Sequence, residues 1–359
     1  MKVFDYMEKY GHEQIIYFYD KTTGLKGITA IHDTTLGPAI GGTRLFKYEN
    51  EDDALFDVVR LSRGMTYKCS ASGCNCGGGK TVLLGDPTKV KTEAYLRAYG
   101  RYVQSLGGRF FTGEDMNINE FDVDYLMMET NYVNGRADMS GNPSPVTAYG
   151  VYWGIKACAK EKWGNDSLLE KVVAVQGLGA VGYALCEYLH QEGAKLIVTD
   201  IKKDRVDKAV AAFGAVAVKC DDIYSVKCDI FSPNSVGAIL NDQTIPSLNC
   251  EIVAGAANNV LLEEKKHGDM LMERGILYAP DYVINAGGVV NVYQEFTPPY
   301  NRERTLKIIK QIYDRLLVIF DYSKKHHLNT QLAANKFAEE RIQLVGKMRS
   351  NFIPKEKHL

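Results

Sequence analysis

Residues 171–200 read KVVAVQGLGAVGYALCEYLHQEGAKLIVTD, and this stretch decides the fold. Val172 to Val175 is a short apolar run of the kind a buried parallel strand shows. Gly177, Gly179 and Gly182 follow as G-x-G-x-x-G, and a helix is predicted from about Val181 to His190. A second strand, KLIVTD, ends in Asp200. The glycine pattern alone is weak. Placed after a strand, opening a helix, with an acid at the tip of the next strand, it has the context of the dinucleotide fingerprint. In that reading Gly177 permits the tight turn and Gly182 lets helix and strand pack closely. Gly179, Ala180 and Val181 bring a pyrophosphate to the free N–H groups of the helix start. Asp200 would accept hydrogen bonds from the adenosine ribose hydroxyls and repel a 2′-phosphate, favouring NAD over NADP, although Lys202 and Lys203 weaken that preference. The competing reading is a βαβ unit whose glycines serve packing only.

Outward from this unit the alternation continues in AVAVK, CDIFSP, EIVAGAANN, ILYAP and DYVINAGG. Short apolar strands with Gly-, Asn- and Pro-rich loops suit a doubly wound sheet, which binds ligands at the carboxyl ends of its strands. Asn258, Asn259 and Asn285 fall on such loops, where amides can hydrogen-bond a nicotinamide or a substrate; asparagine also simply favours turns. Toward the N-terminus, EQIIYFYD, GLKGITAIHD and KTVLLGD read as strands. EDDALFDVVRLSRGMTYK places Leu55, Val58, Val59, Ser62 and Met65 at helical spacing, and TEAYLRAYGRYVQSLGG reads as a second helix closed by glycines. SGNPSPVTAYG, rich in Ser, Gly and Pro, marks a boundary near residue 140, with a helix VYWGIKACAKEKWG after it.

The 359 residues are enough for two domains, each with its own core. Lys plus Arg is 43 against 44 for Asp plus Glu, and no basic stretch interleaves with aromatics, so nothing favours nucleic acid or an anionic membrane. The start, MKVFDYMEKYGHEQ, is charged throughout and unlike a secretory signal, and no apolar run reaches the length of a bilayer span. The reading is a soluble, cytoplasmic protein. Eight cysteines without a C-x-x-C, and seven histidines without ligand spacing to them, are read as reduced thiols and no metal site.

A dinucleotide domain implies hydride chemistry, so the other domain should carry the substrate and the proton transfers. The candidates are Lys68 in GMTYK, Lys80 in GCNCGGGKT and Asp115 in TGEDMN. The glycine run before Lys80 resembles a phosphate loop, but that pattern needs glycine six positions before the lysine, where Cys74 stands. What remains is a lysine beside three residues without side chains, Gly77 to Gly79. Lys68 suits a fixed charge on a substrate carboxylate. Lys80, near that second cation and partly desolvated, would have a lowered pKa and serve as general base.

Taken together, HDTTLGPAIGGTRLFKY, LSRGMTYKCSASGCNCGGGKTVLLGDP, TGEDMN, SGNPSPVTAYGVYWG, VAVQGLGAVG, AGAANN and YAPDYVINAGGVVNV resemble the glutamate/leucine/phenylalanine/valine dehydrogenase family over nearly the whole chain. The resemblance implies reversible, NAD-dependent oxidative deamination of an L-amino acid to a 2-oxo acid and ammonia. It implies an α/β fold with a substrate-binding and oligomerisation domain at 1–140, joined by C-terminal helices at 330–359, and a Rossmann domain at 141–329. The active site is expected in the cleft, and the assembly as a homo-oligomer, commonly an octamer. By the same resemblance Lys68 binds the α-carboxylate, Lys80 is the catalytic lysine, Asp115 exchanges protons with the amino group, and Thr147 and Asn259 contact the nicotinamide end; Asn285 joins the cofactor candidates from its loop position. The pocket for the substrate side chain is expected around Ile40, Gly41, Met65, Gly113, Val289 and Val292. It is apolar, which disfavours glutamate. Gly113 follows aromatic-accepting relatives and Val289 the leucine pattern; a branched-chain substrate is preferred, with an aromatic one as the alternative. Asn234, where many relatives have cysteine, is expected to tune packing near the cofactor. A catalytically silent NAD-binding protein on the same fold is the remaining alternative.

Overall fold

The computed structural model describes residues 2–136 and 138–348, so the last part of the expected 330–359 helices, 349–359, lies outside the described residues. The chain divides into two compact units, Met1–Arg136 with Ala338–Leu359, and Ala137–Phe337.

The first unit is built on a six-stranded mixed sheet in the order β1-β2-β5-β3-β6, with β4 also paired to β5. The strands are β1 (Gln14–Tyr19), β2 (Lys26–Asp33), β3 (Ala39–Ile40), β4 (Thr43–Phe46), β5 (Gly77–Leu84) and β6 (Phe110–Phe111). The helices are α1 (Val3–Tyr10), α2 (Glu51–Ala71), α3 (Pro87–Val90), α4 (Glu93–Ser105) and α5 (Glu120–Met127). α2 starts where Asn50 accepts a hydrogen bond from Asp53 N and three acids, Glu51 to Asp53, fill the first turn, which complements the helix dipole. Its Ala54, Leu55, Val58 and Val59 pack with Ile28, Ala30 and Val82 of the sheet. On the other sheet face Leu83 packs with Tyr95, Leu96, Tyr99 and Val103 of α4. Residues alternate between the two faces along β5, so Lys80 lies on the α2 face between Gly78 and Val82.

The glycine run explains how α2 sits so close. A Cβ at Gly78 would lie 2.1 Å from Thr66 N and 2.5 Å from Ser62 O, both on α2. Within the same unit Arg341 donates to the carbonyls of Ser70 and Cys74 and, at 2.6 Å, to Asn75 Oδ1, so the chain end braces the turn leading into the glycines.

The second unit holds a six-stranded sheet, entirely parallel, in the order β12-β11-β10-β7-β8-β9. Its strands are β7 (Val172–Gln176), β8 (Lys195–Thr199), β9 (Val216–Ala217), β10 (Ile230–Pro233), β11 (Ile252–Val253) and β12 (Leu277–Tyr278). Counted within the unit this is the doubly wound order, reversing between β7 and β10. The helices are α6 (Ser144–Trp163), α7 (Ala180–Gln191), α8 (Lys203–Phe213), α9 (Glu264–Glu273), α10 (Asp281–Ile284), α11 (Gly287–Tyr293), α12 (Arg302–Lys310) and α13 (Ile312–His326). α14 (Thr330–Met348) runs past the second break between units.

Two local expectations change. DYVINAGG is not a strand: it forms α10 and the start of α11, with Val283 N and Ile284 N bonding back to Pro280 O. Asp281, Tyr282, Val283 and Ile284 are all buried, so the helix has no exposed face and shows no periodicity. The Ser/Pro-rich stretch is only partly a connector, because α6 begins at Ser144 with Pro145 in its first turn, where a missing N–H costs nothing. Among the described residues no helix is long and apolar enough to cross a membrane.

Candidate functional site

In the first unit the site is centred on Lys80, which is 6 % exposed, at mid-strand on β5. Its ammonium forms an ion pair with Asp115 Oδ2. Asp115 lies just beyond β6, where its Oδ1 accepts from Met116 N at 2.6 Å and its backbone bridges to Ile118. Sequence reading missed a third member, Arg44 of β4, which lies 3.7 Å from Asp115 Oδ1 and donates to Asp57 Oδ2 at 2.9 Å. Tyr48 donates to the same Asp57 oxygen at 2.6 Å. Arg44 has partners 13 and 71 positions away in sequence, and the parallel pairing of β4 with β5 brings it in.

Burial by itself would raise the Asp115 carboxyl, but Lys80 and Arg44 outweigh it and hold the group at about 2. Its neighbour Glu114 is pushed up by burial and by Glu120 and Asp122, and Glu114 Oε1 is buried with no hydrogen-bond partner. Two adjacent carboxylates are thus driven in opposite directions.

The first-unit pocket residues converge on the same sheet end. Ile40 is 1 % exposed and pairs with Gly78 and Phe111. Gly41 N donates to Phe111 O, and a Cβ at Gly41 would lie 1.9 Å from Gly79 O and 3.5 Å from the Met65 side chain. Thr43 N donates to Gly113 O at 2.8 Å. A Cβ at Gly113 would lie 3.0 Å from Asn134 O, so this glycine is explained by a close main-chain neighbour. Lys68 lies half-buried on α2, two residues beyond the Thr66 that touches Gly78.

In the second unit Gly177 follows β7 at φ +93°, and a Cβ at Gly182 would lie 2.0 Å from Gly177 O. Gly179 caps the start of α7 with no side chain, and a Cβ there would come within 4 Å only of Arg205 Nη1, at 3.9 Å. The first N–H groups of α7, from Ala180, Val181 and Gly182, have no intrahelical partner and no side-chain cap, which suits an anion. Asp200 stands directly after β8, where its Oδ2 accepts from Leu178 N at 2.7 Å and its Oδ1 from Lys202 N at 2.8 Å. Burial opposes its charge, but the Lys202 and Leu178 amides and Arg205 lower its pKa. The acid thus holds the glycine turn in shape. A cavity of about 370 Å³ lies here, lined by Leu178, Gly179, Tyr183, Asp204, Arg205 and Lys208.

At the strand ends near the reversal, Asn234 Oδ1 accepts from Ala256 N at 2.9 Å and its amide donates to Ser232 O, tying the β10 loop to the β11 loop. Asn285 donates to Ala256 O at 3.0 Å and Asn258 Oδ1 at 2.7 Å, while its own Oδ1 is buried without a partner. Asn259 is exposed at φ +50°. Thr147 lies in the first turn of α6, its Oγ1 3.0 Å from where a Cβ would stand on Gly288. Val289 is 6 % exposed on α11, and Val292 is half-buried one turn on.

The first unit is a mixed sheet carrying a buried lysine–carboxylate pair and the second a parallel sheet with an uncapped helix start at its reversal, the parts of a two-unit oxidoreductase. Residues 12–132 match the model of the Glu/Leu/Phe/Val dehydrogenase dimerisation domain, and residues 198–347 that of the Glutamate/Leucine/Phenylalanine/Valine dehydrogenases. The chain is 56 % identical to a leucine dehydrogenase of Thermoactinomyces intermedius over all of its own length and 98 % of that protein. It is 48 % identical to an L-tryptophan dehydrogenase of Nostoc punctiforme, covering 98 % of this chain and 99 % of that one. The crystal structure of L-tryptophan dehydrogenase from Nostoc punctiforme superposes with a TM-score of 0.84 at 47 % identity, over 96 % of this chain and 99 % of that one. The chain belongs to the Glu/Leu/Phe/Val dehydrogenase family, and it is an amino-acid dehydrogenase.

Proposed function

We propose that the enzyme reversibly deaminates L-leucine and related branched-chain amino acids to the 2-oxo acid and ammonia, with NAD as oxidant. The observation that carries the reading is the buried Lys80–Asp115 pair, in a chain 53–56 % identical to leucine dehydrogenases along essentially its full length.

The second unit fits a dinucleotide: the uncapped start of α7 suits a pyrophosphate, and the orphaned Asn285 Oδ1 suits an amide donor such as the nicotinamide carboxamide. Gly177, Gly179, Ala180, Val181, Gly182 and Asp200 would hold the adenosine and phosphates, and Thr147, Asn259 and Asn285 the nicotinamide end. When bound, NAD supplies the acceptor for the substrate Cα hydride.

The remaining chemistry belongs to side chains. Lys68 fixes the substrate carboxylate as a point charge. Asp115, ionised at every pH where the enzyme would work, accepts a proton from the substrate ammonium so that the amine is free to become an imine. Lys80 Nζ positions the water that adds to the imine carbon, and protons pass between Nζ and Asp115 across their contact. Arg44 holds Asp115 from its other oxygen, so the carboxylate keeps its orientation while Lys80 changes partners. Ile40, Gly41, Met65, Gly113, Val289 and Val292 supply apolar surface for the side chain, where an unpaired carboxylate would be costly.

The branched-chain preference rests on two supports. Relatives named leucine dehydrogenase stand at 53–56 % identity, against 47–48 % for those named tryptophan or phenylalanine dehydrogenase. Gly113 is also accounted for by Asn134 O, so it need not signal an enlarged pocket. The test is NADH formation at alkaline pH with L-leucine, L-valine, L-phenylalanine, L-tryptophan and L-glutamate. Turnover led by leucine and valine supports the proposal; preference for an aromatic substrate refutes its specificity, and no turnover with NAD still bound refutes the enzyme assignment. The chain is further read as a homo-oligomer, as its match to a dimerisation domain supports, with light scattering as the check.

A further inference from the structure

Cys228 and Cys250 stand one position before Asp229 and Glu251 at the amino ends of β10 and β11. Those strands are parallel neighbours in which Ile230 pairs with Ile252, so stepping back two residues on each sets the two cysteines opposite one another. Main-chain bonds carry the pairing that far, with Cys228 N donating to Asn249 O and Glu251 N to Asp229 O, each at 3.1 Å. Adjacent strands run ~4.8 Å apart, inside the ~4.4–6.8 Å Cα window for a disulfide. Both thiols pack against the same apolar cluster, and both are partly exposed.

We propose that Cys228 and Cys250 form a reversible, peroxide-driven dithiol–disulfide site, with Cys250 as the attacking sulfur and Cys228 as the resolving one. The roles follow from their surroundings. The neighbouring Cys228 thiol lowers the Cys250 thiol below its ordinary value against the opposing effect of burial, and Arg274 adds to it. Arg274 is fixed there by bonds to Pro246 O and Leu248 O, both 2.8 Å. The neighbouring Cys250 thiol, with burial, pushes Cys228 up. By contrast Cys69, Cys76, Cys158 and Cys186 are buried, and burial pushes each of those thiols up.

The chemistry balances with hydrogen peroxide as oxidant. The Cys250 thiolate attacks one peroxide oxygen; the S–O bond forms, the O–O bond breaks, and the departing hydroxide takes a proton to leave as water. Cys228 then attacks the sulfenic sulfur; the S–S bond forms, the S–O bond breaks, and the second water leaves with the Cys228 proton. Two thiols are oxidised and one peroxide is reduced to two waters. Dithiothreitol reverses the step by exchange.

The full-length protein is exposed to hydrogen peroxide, alkylated under denaturing conditions and digested without reduction. The expected result is one linked peptide pair joining Cys228 to Cys250, lighter by two hydrogens and absent after dithiothreitol. In Cys228→Ser, Cys250 is then trapped by dimedone as the sulfenic acid; in Cys250→Ser, Cys228 stays alkylatable. Cys228 and Cys250 remaining as alkylatable as before exposure, or linking to other cysteines, would overturn the proposal, and this reading on the unmutated protein does not depend on how either variant folds.

Discussion

Replacing Gly78 by alanine adds one methyl to β5 on the face covered by α2. The new Cβ would stand 2.1 Å from Thr66 N, 2.4 Å from Thr66 Oγ1 and 2.5 Å from Ser62 O. Normal carbon contacts lie at ~3.5–4 Å, so helix and strand must part by about 1 Å at this point. Over-packing typically costs ~1–3 kcal/mol, and the upper end applies because two of the three obstructing atoms are helix backbone that cannot swing aside. The catalytic consequence follows from register. Lys80 is two residues further along the same strand and on the same face, and a misplacement of about 1 Å costs ~100-fold in rate. The matched control is Gly64→Ala on α2, where nothing lies within 4 Å of the new methyl and alanine should stabilise the helix by ~1 kcal/mol. Urea unfolding followed by circular dichroism gives the stabilities, and NADH formation at saturating leucine gives kcat. A Gly78→Ala protein with the parental midpoint and a kcat within about threefold would refute the claim that the glycine run exists to seat α2 against the catalytic strand.

Four further outcomes are expected. Lys80→Met, which keeps the stem volume, should lose ~10²–10⁴ in kcat while remaining folded; kcat within tenfold of the parent would mean that Lys80 is only structural. Asp200→Ala should raise the KM for NAD about tenfold with little change in kcat, because Leu178 N and Lys202 N lose charged acceptors worth ~1.5–3 kcal/mol each. Gly113→Ala should shift the leucine-to-phenylalanine ratio of kcat/KM by less than ~10-fold, since its methyl meets Asn134 O; a shift beyond ~100-fold would show that the position faces the side-chain pocket. The fourth concerns His32, which bonds Thr66 Oγ1 through Nδ1 at 2.8 Å and Tyr10 O through Nε2 at 2.7 Å, an arrangement that satisfies the neutral ring. Burial, with His12 and Arg63, lowers it from 6.5 to about 3 despite the Tyr10 bond. The unfolded chain therefore binds the extra proton first, and stability is full above pH 6.5 and falls as the pH drops toward 3. About 2 kcal/mol should go between pH 7.5 and pH 5, at ~1.4 kcal/mol per unit. Denaturant titrations of the parent and His32→Gln at both pH values measure it, and equal pH slopes would sink the assignment.

The division between sequence and tertiary structure follows the range of the interactions. The β7–α7–β8 unit was legible because strand, glycine turn and helix are contiguous: the close approach of Gly182 to Gly177 O is a contact five residues long. α2 was legible from the spacing of Leu55, Val58, Val59 and Ser62, which the structure buries against the sheet. Lys80, Asp115 and the run before the lysine stood out as residue types whose local chemistry is unusual. α10 escaped because a short helix buried on all sides carries no periodic pattern, and its apolar residues read equally well as a strand. Arg44 escaped because an arginine on a short strand has no local mark; pairing of β4 with β5 brings it to Asp115. The approach of Gly113 to the carbonyl of Asn134, 21 positions on, is set by the bridge between Thr112 and Val133 and has no local mark. The facing of Cys228 and Cys250 likewise depends on β10–β11 register. Local periodicity and backbone preference specify elements and mark unusual residues; which charges meet, and which glycines are contacts and not vacancies, is decided by strand order and register, because those bring together residues that no short-range rule relates.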